Sequence, residues 1–205
     1  MRTIIKGTEP PDLTAWKRIN PHGLYNQLTA DIRRIIRQHA LEEQFYLCAY
    51  CCQQIRNINN DCHNEHVEAQ SQNPTRTLDF SNIVASCNTS DQCGGAHKSQ
   101  HLPLTPLMAE CEIELRFKIS GRVEGLSNQA VVTIQVLNLN SLALIQKRKK
   151  LSNDLLFANS INPDEGLEDE DLLEMLIGDL LQPKLGQMEP FTPVVINILQ
   201  SWLQS

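Results

Sequence analysis

Cys48-Ala49-Tyr50-Cys51 and Cys87-Asn88-Thr89-Ser90-Asp91-Gln92-Cys93 decide how this 205-residue chain is read. Thiolates bind Zn²⁺ tetrahedrally, and a Cys-x-x-Cys turn presents two sulfurs to one ion with little strain. The second pair, about 35 residues further on, supplies the other two corners. Cys52, Cys62, His63 and Cys111 are alternative ligands. Cysteines are also common in apolar cores, but these lie in the least apolar part of the chain. Residues 46–101 are rich in Asn, Cys, Gly and Ser, and so polar a window needs a staple that a metal can provide. A closed set of four thiolates leaves no open coordination position, so this zinc is structural.

The surroundings agree with a metal site. Seven cysteines is an odd number, several share one short window with histidines, and no long apolar h-region opens the chain. No apolar run approaches the roughly 20 residues of a membrane span. The expectation is a cytoplasmic protein without a membrane partner, in a reducing compartment that favours metal over disulfides. The formal net charge of −6 is unevenly spread. Residues 151–205 hold 10 of the 24 acidic and one of the 18 basic residues, leaving 14 acidic and 17 basic before them, a net of +3. Charge alone does not assign a function.

Outward from the cysteines, three segments are expected: an arm and helix over 1–45, the metal-stapled module over 46–101, and an α+β region over 102–205. Leu13–Ile19 reads as a short helix. Asn20-Pro21 reads as the start of a helix of five or six turns, with Leu24, Leu28, Ile32, Ile35 and Ile36 at helical spacing. It is expected to run straight into Cys48. Glu112–Ile119 alternates as a strand, Ser120-Gly121-Arg122 is a turn, and Ala130–Val136 is β-prone, so these two runs predict an antiparallel pair. Ser141 opens a helix with Lys147-Arg148-Lys149-Lys150 in its middle. Helices follow over 169–181 and 191–203, with a flexible joint over 162–166 beside the acidic stretch Asp164–Asp171.

Between the cysteine pairs lie Glu65-His66 and Asn82, and His97 follows the last cysteine. Phosphodiester hydrolysis needs an activated water, charge neutralisation on the phosphate and help for the leaving oxygen. A histidine near neutral pKa can take the water's proton, and a Mg²⁺ or Mn²⁺ ion can carry the charge. These roles map to His66 as base, Glu65 and His97 as ligands of a catalytic divalent metal, and Asn82 as the residue that orients the imidazole. Neighbours on a regular strand face opposite sides, so Glu65 and His66 share one site only at a strand end or a bulge.

The order Cys-x-x-Cys, Glu-His, Asn, Cys…Cys, His within about 50 residues resembles the HNH nuclease motif. Cys48-Ala-Tyr-Cys51, Asn64-Glu65-His66, Leu78-Asp79-Phe80-Ser81-Asn82-Ile83-Val84 and Val136-Leu137-Asn138-Leu139-Asn140 with Lys147-Arg148-Lys149 look like the HNH endonuclease subunit of Septu-type antiphage defence systems. Related nucleases accompany some retrons. The resemblance implies an α+β fold, in which a zinc-stapled ββα-metal (HNH) module is embedded in a mostly helical body. It also implies cleavage of DNA, and a partner ATPase of the ABC/SMC-like kind that controls the nuclease. HNH motifs usually carry proline three residues after the first His, where this chain has Ala69. Many carry Asn or His directly after the last Cys, where it has Gly94. His97 is then the candidate ligand, with Asn88 and Lys98 as alternatives. The reading from another class is a non-catalytic zinc knuckle that binds nucleic acid or protein.

Overall fold

A computed structural model of the chain describes residues 1–58, 60–162 and 169–203. Helix α1 spans Pro11–Ile19, with Pro11 in its first turn, where a missing N–H costs nothing. Asn20 closes this helix instead of opening the next, because its backbone N–H and its side-chain amide both donate to the Trp16 carbonyl. A 3₁₀ turn at Tyr25–Gln27 follows. Helix α2 then starts at Ala30 and runs Ala30–Glu43, with the Thr29 hydroxyl accepting from the Ile32 N–H. The expected long helix is therefore two elements, divided by one residue that caps backward and another that caps forward.

Helix α2 does not run straight into Cys48 either. Phe45 and Tyr46 take positive φ, at 51° and 62°, and turn the chain back. Buried Gln44 makes the join. Its amide nitrogen donates to the carbonyls of Leu47 and Ala85, and its amide oxygen accepts from the Ala85 N–H. One side chain thus satisfies three buried backbone groups that would otherwise cost about 1–3 kcal/mol each.

Strand β1 (Cys62–His66) pairs antiparallel with β2 (Ile83–Cys87), in a register from Cys62 opposite Cys87 to His66 opposite Ile83. A one-turn helix, α3 (Gly94–His97), follows. Another single turn, α4 (Glu110–Ile113), precedes β3 (Leu115–Phe117), which pairs with β4 (Val123–Gly125). Gly121 turns this second hairpin at φ +84°, a conformation that suits glycine.

Two sequence expectations fail here. The strand expected over Glu112–Ile119 shrinks to Leu115–Phe117, because residues 110–113 coil first. The β-prone run Ala130–Val136 is helical, in α5 (Asn128–Val136), so the partner of β3 is β4. Ser127 caps α5 by accepting from the Ala130 N–H, while its hydroxyl donates to Glu114. Ala130, Thr133, Ile134 and Leu137 then fall on one buried face at helical spacing. Capping and that buried stripe outweigh the modest penalty on valines in a helix.

Helices α6 (Leu142–Ala158), α7 (Glu170–Leu180) and α8 (Thr192–Leu203) complete the chain, with the Asp169 side chain capping α7 near the expected start of that helix. The proposed joint and most of the acidic stretch lie outside the described residues. Among the described residues the chain is thus eight helices and two separate two-stranded hairpins. Among the described residues, no helix is long and apolar enough to cross a membrane.

The largest core draws on all three segments: Met1 and Ile4, the metal-motif cysteines with Tyr50 and Ile55, and Leu115, Leu137, Val194 and Ile198. A second core joins Leu156 of α6 to α7 and α8. A third packs Leu13, Leu28 and Ile36 under Phe80 and Ile83. The polar window is thus not left to its staple alone, since flanking elements from both ends of the chain cover it.

Candidate metal centre and the adjoining histidine cluster

The backbone around Cys48 bends tightly. Cys48 donates to the Gln53 carbonyl, and Cys52 donates back to Cys48 at φ +64°. Cys87 ends β2, and Cys93, at φ +53°, precedes α3. These turns bring the sulfurs of Cys48, Cys51, Cys87 and Cys93 to within 4.8 Å of one another, all buried and none in a disulfide. Donors already face them: the Cys87 N–H lies 3.4 Å from the Cys48 Sγ, and the Gln92 amide lies 3.7 Å from the Cys87 Sγ. Burial pushes the Cys51 and Cys93 thiols well up, while neighbouring thiol donors hold Cys87 far down. Four soft ligands packed so closely, with N–H donors in place, fit a metal ion such as zinc.

The other cysteines lie elsewhere. Cys62 donates to the Arg56 carbonyl, its thiol pushed up by burial to about 12, and Cys111 sits beside the Thr3 hydroxyl. Among the described residues, the four-cysteine set is the one place where three or more Cys, His, Asp or Glu side chains converge in this way.

Arg148, read in the sequence as part of a basic run, is fully buried near these sulfurs. Its guanidinium donates to the carbonyls of Gly121 (2.6 Å) and Leu139 (3.1 Å), and lies 4.9 Å from the Phe117 ring centroid. Burial lowers its pKa, and the charges of Cys51, Cys52 and Cys93 act in the opposite direction. The segment it holds also touches the metal loop: Leu137 accepts from the Cys93 N–H at 2.8 Å, and Asn138 donates to Asp91 at 2.7 Å. A buried cation beside a tetrathiolate offsets the negative charge such a centre carries.

The period-two alternation of β1 sorts the remaining polar residues. Glu65 faces α3, where its Oε1 lies 2.6 Å from Nδ1 of the fully buried His97. His63, two residues back on the same face, places Nε2 at 3.0 Å from the other carboxylate oxygen and Nδ1 at 2.6 Å from Asn88 Oδ1. Burial alone would raise the Glu65 pKa, but its bonds to His63 and His97 hold it below the ordinary carboxylate value. Burial would likewise lower His63, but Glu65 and Asn88 keep it above the ordinary imidazole value.

His66 lies on the opposite face. Its Nε2 is 2.9 Å from the Thr77 carbonyl, which can only accept, so Nε2 carries the proton. The lone pair is on Nδ1, which accepts from the Gln70 amide at 3.3 Å, and the ring stands edge-on to Tyr25 at 4.8 Å. Burial depresses the His66 pKa, against smaller raising effects from Thr77 and Glu65. The imidazole is therefore held neutral, with one nitrogen able to accept a proton.

Asn82 does not touch the imidazole it was expected to orient. Its side chain accepts from the Glu68 N–H and donates to the Glu68 carbonyl, and its own carbonyl accepts from the Val67 N–H. It clamps the loop that leaves His66, whereas Thr77 and Gln70 contact the ring itself. The structure therefore joins Glu65 to His97, sets His66 across the strand within electrostatic reach of Glu65, and gives Asn82 a backbone role. Of the alternative ligands, Asn88 holds His63, and Lys98 is an exposed residue at the end of α3. The sequence reading weighed His63 only as a zinc ligand, although its spacing of two from Glu65 on a strand pointed to this cluster.

Glu65 and His97 set a carboxylate oxygen and an imidazole nitrogen side by side, hydrogen-bonded to each other. No family model and no curated protein matches the chain.

Proposed function

We propose that the chain is a metal-dependent DNA endonuclease of the HNH type, and the nuclease subunit of an antiphage complex with an ABC/SMC-like ATPase. The observation that carries this reading is the state of His66: neutral, its Nε2–H fixed by a backbone carbonyl, its Nδ1 left as an acceptor that the Gln70 amide faces, beside a Glu65–His97 pair. A zinc knuckle that only binds has no use for this arrangement. Supporting it, the elements run strand, strand, helix, with Glu65-His66 on the first strand, Asn82 just before the second and His97 on the helix.

In this mechanism His66 Nδ1 accepts the proton of the attacking water. Thr77 keeps the tautomer, Asn82 keeps the loop, and burial keeps the ring neutral near pH 7. Glu65 and His97 would hold a divalent ion, which supplies charge neutralisation on the scissile phosphate when bound.

The ATPase partner rests on the resemblance. Docking through the terminal segments is supported by exposed apolar side chains on α6 and α7, among them Phe157 and Met175. Truncation after Phe157 would not test this, because α8 supplies Val194 and Ile198 to the core that also holds the cysteines. Met175→Asp would, by weakening co-purification with the ATPase while the chain stays folded.

The convergence of the four cysteines alone favours the second reading, a non-catalytic zinc knuckle. Plasmid nicking separates the two. Wild-type protein should nick supercoiled DNA with Mn²⁺, EDTA should stop it, and added Mn²⁺ should restore it. Nicking that is indifferent to chelation would overturn the metal-dependent reading.

A further inference from the structure

We infer that Tyr25 and Arg33, joined through Asn64, form a seat for the DNA backbone phosphate next to the one that meets His66, and so anchor the scissile strand over the imidazole. This rests on the nuclease reading above, and deepens it by naming how that site grips its substrate.

Asn64 lies two residues before His66 on β1, so the two side chains leave the same face of the strand. The Asn64 Nδ2 donates to the Tyr25 hydroxyl oxygen and to the Arg33 carbonyl, each at 2.8 Å. A carbonyl can only accept, which fixes Nδ2 as the amide nitrogen and makes the phenol oxygen an acceptor here. The Tyr25 O–H therefore points elsewhere, and among the described residues no acceptor faces it. Burial raises the Tyr25 pKa, so the phenol keeps that hydrogen at neutral pH.

Arg33 stands beside the same ring, its guanidinium 5.5 Å from the Tyr25 centroid. Its Nη2 donates to the Asn26 carbonyl at 2.7 Å, and its Nε is buried without a partner among the described residues. Arg37, one turn further along α2, also acts on the Tyr25 hydroxyl. A phenol O–H and a guanidinium with unspent donors suit an anion that has several acceptor oxygens, and arginine pairs with phosphate through parallel N–H bonds. The Asn64 Oδ1 is also unpartnered, and as an acceptor it takes no part in holding the anion.

The break between α1 and α2 is what brings these groups to β1. Asn20 closes one helix, Thr29 opens the next, and the 3₁₀ turn between them carries Tyr25 edge-on to His66. An open cleft of about 680 Å³ adjoins the pair, lined by Leu24, which precedes Tyr25, and by Thr77, whose carbonyl holds His66. A strand lying across His66 thus has room to continue.

The test uses the zinc-loaded full-length chain and a fluorescein-labelled DNA duplex. Binding is followed by anisotropy in His66→Ala without added Mn²⁺, across a series of salt concentrations. Each phosphate neutralised adds about 0.9 to the steepness of log affinity against log salt. Adding Arg33→Met should therefore make the slope shallower by about one and weaken binding about tenfold at low salt, while Arg33→Lys should keep the slope. In the active chain Tyr25→Phe, which keeps the ring against His66, should raise KM for nicking about tenfold and change kcat by less than about twofold. Zinc content should be the same throughout. An unchanged salt slope in Arg33→Met, or an unchanged KM in Tyr25→Phe, makes the cluster a structural joint and overturns the inference. Should Arg33→Met fail to fold, the KM of Tyr25→Phe alone decides. The nuclease reading survives a failed seat if His66→Ala abolishes nicking, and wild type that binds no DNA overturns both.

Discussion

The cysteine centre is drawn from the turn at Cys48–Cys51, the end of β2 and the residue before α3, and the histidine cluster from β1 and α3, and the two are built in opposite ways. The four sulfurs are buried and mutually convergent, and backbone turns at Cys52 and Cys93 aim them inward. The histidine cluster is a set of hydrogen bonds distributed over both faces of β1, with His63 partly exposed and His66 turned to Tyr25 and Thr77. The first centre has the character of a fastening. The second keeps a neutral base, an anchored carboxylate and access to solvent, which chemistry on a substrate requires.

If the division holds, substitutions should separate along it. The largest effect is expected at the staple. Cys48→Ser removes a ligand from a centre whose zinc can contribute about 10 kcal/mol or more to folding. It should abolish zinc retention and soluble yield, read by metal analysis and size-exclusion chromatography.

Arg148→Met comes next. It leaves the buried carbonyls of Gly121 and Leu139 without donors, a loss of about 1–3 kcal/mol each. It also withdraws a buried cation that acts on Cys51 and Cys93. Thermal unfolding should shift down, and zinc should leave faster to a chelator. An unchanged zinc off-rate would limit Arg148 to backbone bonding.

Asn82→Ala should bridge the two regions weakly, costing about 2 kcal/mol through its two bonds to Glu68. It should also lower nicking about tenfold or more by loosening the loop beyond His66. A stability loss with full nicking would make the clamp purely structural. The smallest effect, about 1 kcal/mol by denaturant titration, is expected for Ser127→Ala, which removes the α5 cap and should leave both centres intact.

The parts legible in the sequence were those set by local rules. Cysteine spacing named the four converging residues, and the helices expected over 169–181 and 191–203 appear as α7 and α8. The parts that were not legible depend on partners distant in sequence. Asn20-Pro21 is as good an opening for a helix as a closing for one, and only the bonds of Asn20 to Trp16 decide between them. The valines of α5 read as a strand until the Ser127 cap and the buried stripe of Ala130, Thr133 and Ile134 are seen. Arg148 sits among lysines in a run that looks solvated, yet its carbonyl partners are 27 and 9 residues away.

The candidate site followed the same pattern. Strand parity gave the warning about Glu65 and His66, and it could also have joined His63 to Glu65. Asn82 was recognisable as a residue with a role, but its partner, the backbone of residue 68, was not.

The most direct test of the account measures zinc content and Mn²⁺-dependent plasmid nicking on one preparation of His66→Ala. General-base catalysis contributes about 10²–10⁴-fold. The account therefore predicts a loss of that size in nicking, with full zinc and an unchanged unfolding temperature. Cleavage by His66→Ala at the wild-type rate would contradict it.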